Sequence, residues 1–149
     1  MALLHEKLTK SIIGAFYEVY NTLGFGFLES TYVRALENEL VARGHTVARE
    51  VSFPVMYKGE NVGTQRIDMI VDGNVIVETK STYDLHRSAR RQVFNYLRAT
   101  NLDVGLLLHF GPKACFYRQI RSFPFKKDPI DPDDSSDPDE PTVLDDNCS

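Results

Sequence analysis

Three side chains in a 149-residue sequence have the types and spacing for phosphodiester hydrolysis: Asp68, Glu78 and Lys80. Glu78 and Lys80 lie two residues apart in Val75-Ile-Val-Glu-Thr-Lys80, an extended run in which they share one face. Asp68 lies in Arg66-Ile-Asp-Met-Ile-Val71, and Asp72-Gly73-Asn74 separates the two runs. A three-residue loop pairs residue 71 with 75 and sets Asp68 opposite Glu78; a two-residue loop turns Asp68 away. In the first register two carboxylates crowd an ammonium group. Side-by-side carboxylates repel unless a cation neutralises them, and Mg²⁺ (or Mn²⁺) favours such oxygen ligands. A bound divalent ion polarises a phosphate oxygen and acidifies water, and a lysine beside it can orient that water or stabilise developing charge. The competing reading is a solvated ladder of cross-strand ion pairs. Against it, Ile67, Met69, Ile76 and Val77 make the surrounding strands read as core.

Other residues could join this centre. Glu29 opens a helix after the Gly24-Phe-Gly26 break, either as a carboxylate complementing the helix dipole or as a third metal ligand. Tyr32, one turn on, could position Glu29 or touch a phosphate. A later helix carries Arg87, Arg90, Arg91 and Arg98. On it Gln92 is a candidate site residue, and Arg90 and Arg91 are candidates to grip a nucleic-acid backbone. The four histidines show no metal-ligand spacing, and no Ser–His–Asp arrangement, phosphate loop or dinucleotide fingerprint is visible.

The elements that must position these groups follow from periodicity. Residues from about His5 to Asn21 read as a helix, with Leu8, Ile12, Phe16 and Val19 on one stripe. A second helix runs from about Leu28 to Arg43 and stops at Gly44. Extended segments cover Thr46 to Tyr57 and, after the Lys58-Gly59-Glu60-Asn61 turn, the stretch from Val62. The hairpin around Asp72-Gly73-Asn74 comes next, then a helix from about His86 to Thr100. Strands at Val104 to Phe110 and Ala114 to Ile120 close the order α-α-β-β-β-α-β-β. This is an α/β domain with a mixed central sheet flanked by helices.

Length and composition suit one globular domain, residues 1–127, and no apolar run approaches the ~20 residues of a membrane span. All 17 Lys and Arg lie at or before Lys127, whereas 9 of the 21 acids lie from Asp128 onward. The body therefore carries +5 and the tail −9. A basic body suits a polyanion partner. The tail, 128–149, rich in Asp, Pro and Ser, reads as disordered, either a solubilising extension or a mimic of nucleic-acid charge. With Cys115 in a strand and Cys148 in the tail, no structural disulfide is expected, which fits a cytoplasmic protein without a signal peptide.

Several of these segments together resemble the GxxExxY family, a branch of the PD-(D/E)XK nuclease superfamily. The naming motif stands as Gly26-Phe-Leu-Glu29-Ser-Thr-Tyr32. With it come the Tyr57-Lys-Gly turn, Arg66-Ile-Asp68, Val77-Glu78-Thr-Lys80, Gln92 with Asn95-Tyr-Leu, and Gly105-Leu-Leu-Leu-His-Phe-Gly111. The resemblance covers roughly residues 5 to 121. It implies a restriction-endonuclease-like core, Asp68 and Glu78 as metal ligands, Lys80 as catalytic lysine, Glu29 as an accessory acid and Gln92 near the site. The implied activity is metal-dependent cleavage of nucleic acid, DNA favoured over RNA, with a homodimer as a possible state. Two departures stand out. Thr79 replaces the family's usual apolar residue; its side chain should alternate away from the site and affect packing. Ala89-Arg-Arg-Gln92 replaces a frequent His-Glu-Ala-Gln. The second departure motivates the alternative of a weak or inactive nuclease-fold module that binds nucleic acid or a protein partner.

Overall fold

The computed structural model describes residues 5–121 and 147–148. Its elements are α1 (Glu6–Leu23), α2 (Glu29–Ala42), β1 (Val47–Tyr57), β2 (Glu60–Val71), β3 (Val75–Lys80), α3 (Ser88–Thr100), β4 (Val104–Phe110), β5 (Ala114–Ile120) and β6 (Asn147–Cys148). The strands form one sheet in chain order, antiparallel throughout except for the parallel β3/β4 pair. A parallel pair needs a crossover, and α3 supplies it. The result is the α/β architecture expected from periodicity, with one two-residue strand added.

Helices cover both sheet faces, and each takes the residues its apolar stripe dictates. Ile12, Phe16 and Val19 of α1 and Val33, Leu36 and Leu40 of α2 pack on Met69, Val71, Val75, Val77, Leu106 and Leu108. On the opposite face Val93 and Leu97 of α3 pack on Leu107 and on Ile67 and Ile76. Gly105 lets α3 come close, since a Cβ there would lie 2.6 Å from Val93 Cγ1. Two hairpin turns follow from local chemistry. Lys58 and Gly59 both take positive φ, 48° and 83°, as a two-residue turn between twisted strands requires. Asp72, Gly73 and Asn74 form the three-residue loop, with Val71 paired to Val75.

The β1–β2 ribbon changes face midway. Near its base Val47 and Met69 face α1 and α2, whereas two residues on Val51, Phe53 and Ile67 pack with Tyr96 and Leu97 of α3. Strict alternation cannot place Ile67 and Met69 on opposite faces. The slip falls at Glu50 and Asp68, the pair missing from an otherwise continuous register between Arg49↔Met69 and Val51↔Ile67. Glu50 takes φ 53°, the backbone rotation that turns the ribbon over.

Two expectations need correction. Cys115 and Cys148 form a disulfide, because β6 adds to the free edge of β5 and pairs Cys148 with Cys115 at a Cα separation of 4.2 Å. The rest of the tail read as disordered lies outside the described residues. A Ser–His–Asp chain also exists: His45 Nε2 is 2.7 Å from Ser11 Oγ, and His45 Nδ1 is 2.8 Å from Asp72 Oδ2. Ser11 sits within α1, where backbone N–H groups are committed to the helix ladder and none is spare for an oxyanion. The chain instead ties α1 to the α2–β1 turn and the β2–β3 turn, with Asp72 also accepting from Thr46 N–H at 2.8 Å. That bond, with His45 adding to it, holds the Asp72 carboxyl below its ordinary range.

Candidate metal centre

Asp68 arrives at the cluster by leaving the ladder. Pairing of β2 with β3 ends at Met69↔Val77, so the Thr79 N–H on β3 has no strand partner there. Asp68 Oδ2 takes that place, accepting from Thr79 N–H at 2.9 Å and from Thr79 Oγ1 at 2.9 Å. A buried N–H must find an acceptor, and here the acceptor is a site carboxylate. The sequence assigned Thr79 a packing role because of its alternation; the structure gives its hydroxyl a grip on Asp68.

Glu78 and Lys80 project from β3 as their spacing required. Glu78 is 3% exposed, and Lys80 Nζ stands 3.7 Å from its Oε1. Glu29 comes from the first turn of α2. One carboxylate oxygen each from Glu29, Asp68 and Glu78 lie within 4.8 Å of one another. Burial raises the Glu78 carboxyl to about 8, with the neighbouring Asp68 and Glu29 carboxylates adding and Lys80 opposing. Glu29 is also raised, by burial first and then by Asp68, against the pull of Lys80.

This donor set fits a hard divalent cation. Glu78 Oε2 is buried, and no hydrogen-bond donor among the described residues reaches it. A buried carboxylate oxygen without a donor is costly, and a cation is the partner that three converging acids call for. With an Mg²⁺–oxygen distance of about 2.1 Å, neighbouring oxygens of an octahedron lie ~3 Å apart, so acid oxygens within 4.8 Å of one another would close by up to ~2 Å around one ion.

The remaining predicted residues divide. Tyr32 is fully buried and stacked on Phe110 at 4.3 Å between centroids. Its hydroxyl donates to Gly24 O at 2.5 Å and accepts from Phe27 N–H at 3.2 Å. It therefore shapes the loop before Glu29 and is not placed to touch a phosphate. Gln92 donates its amide to Tyr96 Oη at 2.7 Å, and Tyr96 donates to Arg66 O at 3.0 Å. Tyr96 looks onto the cluster: burial and then the charge of Glu78 raise its phenol well above the ordinary range. From sequence, Tyr96 stands within the Asn95-Tyr-Leu segment with no site role of its own. Arg90 lies over the Tyr117 ring at 4.3 Å, and Arg91 is exposed. Among the described residues no helix is long and apolar enough to cross a membrane.

Comparison with solved structures finds the protein designated SSO0001, whose crystal structure superposes with a TM-score of 0.54 at 17% identity. The alignment covers 78% of this chain and 60% of that one, so the likeness is one of fold, over part of a longer protein. No curated protein sequence matches. The family model for the PD-(D/E)XK nuclease superfamily matches residues 6–122, from the start of α1 to just past β5, a span that contains the acid cluster and its lysine. The chain belongs to the PD-(D/E)XK nuclease superfamily.

Proposed function

We propose that this protein is a divalent-metal-dependent nuclease that hydrolyses phosphodiester bonds, with Mg²⁺ or Mn²⁺ as the ion and DNA favoured over RNA. The observation that carries the reading is the convergence of Glu29, Asp68 and Glu78 within 4.8 Å, with Lys80 beside Glu78. Asp68, Glu78 and Glu29 would hold the ion, whose chemistry when bound is to polarise the phosphate and lower the pKa of water. Lys80 places a positive charge against the acids, where it can orient water and stabilise charge on the phosphate in the transition state. Thr79 fixes Asp68 through two bonds to one oxygen, which leaves the other oxygen to the cluster. Gln92 acts through Tyr96. Arg91, exposed on α3, is the stronger candidate for a backbone phosphate, because Arg90 is engaged with Tyr117.

The test is cleavage of labelled DNA and RNA with Mg²⁺ or Mn²⁺ by the wild type and by Asp68→Ala, Glu78→Ala and Lys80→Ala. Each substitution is expected to abolish turnover with folding intact. Activity that survives all three refutes the assignment. One observation favours a second reading, a nuclease fold that binds without useful turnover: α3 reads Ala89-Arg-Arg-Gln92, and the Gln92 amide serves Tyr96. Calorimetry separates the two, since a wild type that takes up neither ion supports the binding module.

A further inference from the structure

Beside the acid cluster stands a lip of aromatic side chains that the chemistry above does not use. Phe25 and Phe27 are 44% and 48% exposed, and Tyr83 is 71% exposed. Phe25 and Tyr83 meet edge to face, ring centroids 6.3 Å apart. They come from two segments that each adjoin a site residue in the chain. Phe25 and Phe27 lie in the loop leading directly to Glu29, and Tyr83 lies three residues after Lys80. Covalent spacing limits Tyr83 to about 10 Å of chain from Lys80.

Both arms are anchored. The buried Tyr32 hydroxyl bonds to Gly24 O and Phe27 N–H, closing the first loop on itself. Gly24 and Gly26, at φ 73° and 115°, supply the turns that raise Phe25 between them. The second arm is held by His109, 6% exposed, whose Nε2 is 2.7 Å from Thr82 O. Exposed aromatic rings on an anchored frame, bordering a charged centre, are suited to a ligand that is apolar on its faces and anionic along its backbone.

We infer that the Phe25–Tyr83 lip stacks an unpaired nucleobase next to the scissile phosphate, so that the substrate is single-stranded nucleic acid or a duplex with an unpaired end. The inference rests on the nuclease reading in taking the acid cluster as the seat of a backbone phosphate. Base faces within a duplex are covered by their neighbours and by stacking along the helix, whereas an unpaired base can turn out of the stack and offer its faces to the rings. The excess of basic residues in the body, 17 against 12 acids before residue 128, complements the strand's phosphates.

The experiment compares binding of a single-stranded oligonucleotide carrying 2-aminopurine with binding of the same sequence as a blunt duplex. Ca²⁺ replaces Mg²⁺, and anisotropy and base fluorescence are read. Phe25→Ala and Tyr83→Ala are each expected to weaken single-strand binding roughly tenfold and to relieve 2-aminopurine quenching. Duplex affinity should change little, and Tyr83→Phe, which keeps the ring, should behave as wild type. Equal losses on both substrates, or no loss on either, overturns the lip. So does a wild-type dimer that Phe25→Ala dissociates without changing single-strand affinity, which would make the rings an interface between copies. The two readings fail separately. A protein that cleaves DNA while ignoring both substitutions keeps its nuclease assignment and loses the lip. One that binds single strands through the rings yet cleaves nothing with any divalent ion keeps the lip and loses the nuclease.

Discussion

Replacing Glu78 by Gln should stabilise the metal-free protein while removing its response to metal. Glu78 is a nearly buried carboxyl whose proton is held up to about 8 by burial and by the neighbouring acids. The sign follows from linkage. Below about pH 4.5 the carboxyl is neutral in both folded and unfolded chains, and its favourable contribution to folding is complete. As pH rises the unfolded chain releases this proton while the folded chain keeps it, so stability falls until pH passes about 8. The interval from 4.5 to about 8 sets a ceiling of ~5 kcal/mol for that loss. A Gln amide never ionises but must be desolvated in the same place, which offsets part of the gain. The expected net advantage of Glu78→Gln at about pH 8 is ~1–3 kcal/mol, shrinking toward zero near about pH 5. Urea unfolding in EDTA at the two pH values measures it. Adding Mg²⁺ or Mn²⁺ should then reverse the order, because an ion that binds only the folded wild type stabilises it by mass action. A stability advantage of Glu78→Gln that does not change with pH, or a variant that responds to metal as the wild type does, would refute the reasoning.

Three further outcomes follow from particular contacts. Thr79→Val removes the hydroxyl bond to Asp68 but keeps the backbone one, so it should cost ~1 kcal/mol of stability and weaken the apparent metal affinity severalfold, read by calorimetry beside thermal unfolding. Tyr32→Phe leaves Phe27 N–H and Gly24 O without their partner; it should destabilise by ~1–3 kcal/mol in urea and, by loosening the loop that carries Phe25, weaken single-strand binding more than duplex binding. At Glu50, φ 53° strains any branched side chain, so Glu50→Val should lose ~1–3 kcal/mol while Glu50→Gly stays within ~1 kcal/mol of wild type, both read by urea unfolding.

Much of this molecule was legible in local order. Apolar stripes marked the helices, and alternating or unbroken apolar runs marked the strands, because burial imposes those periods on neighbours along the chain. The Asp72-Gly73-Asn74 loop set the register, and the two-residue period of a strand put Glu78 beside Lys80 on β3. What only the tertiary structure decided involves groups that meet across layers or edges. Glu29 joins the acids from another element. Asp68 reaches them because the ladder lapses at Thr79 and the ribbon turns over at Glu50, a backbone rotation that no spacing rule announces. The Tyr32 hydroxyl, the Ser11–His45–Asp72 tie and the Cys115–Cys148 bond join segments whose nearness depends on how whole elements pack. Sequence periodicity reports which face a residue shows to water; it carries no record of which distant group will stand there to meet it.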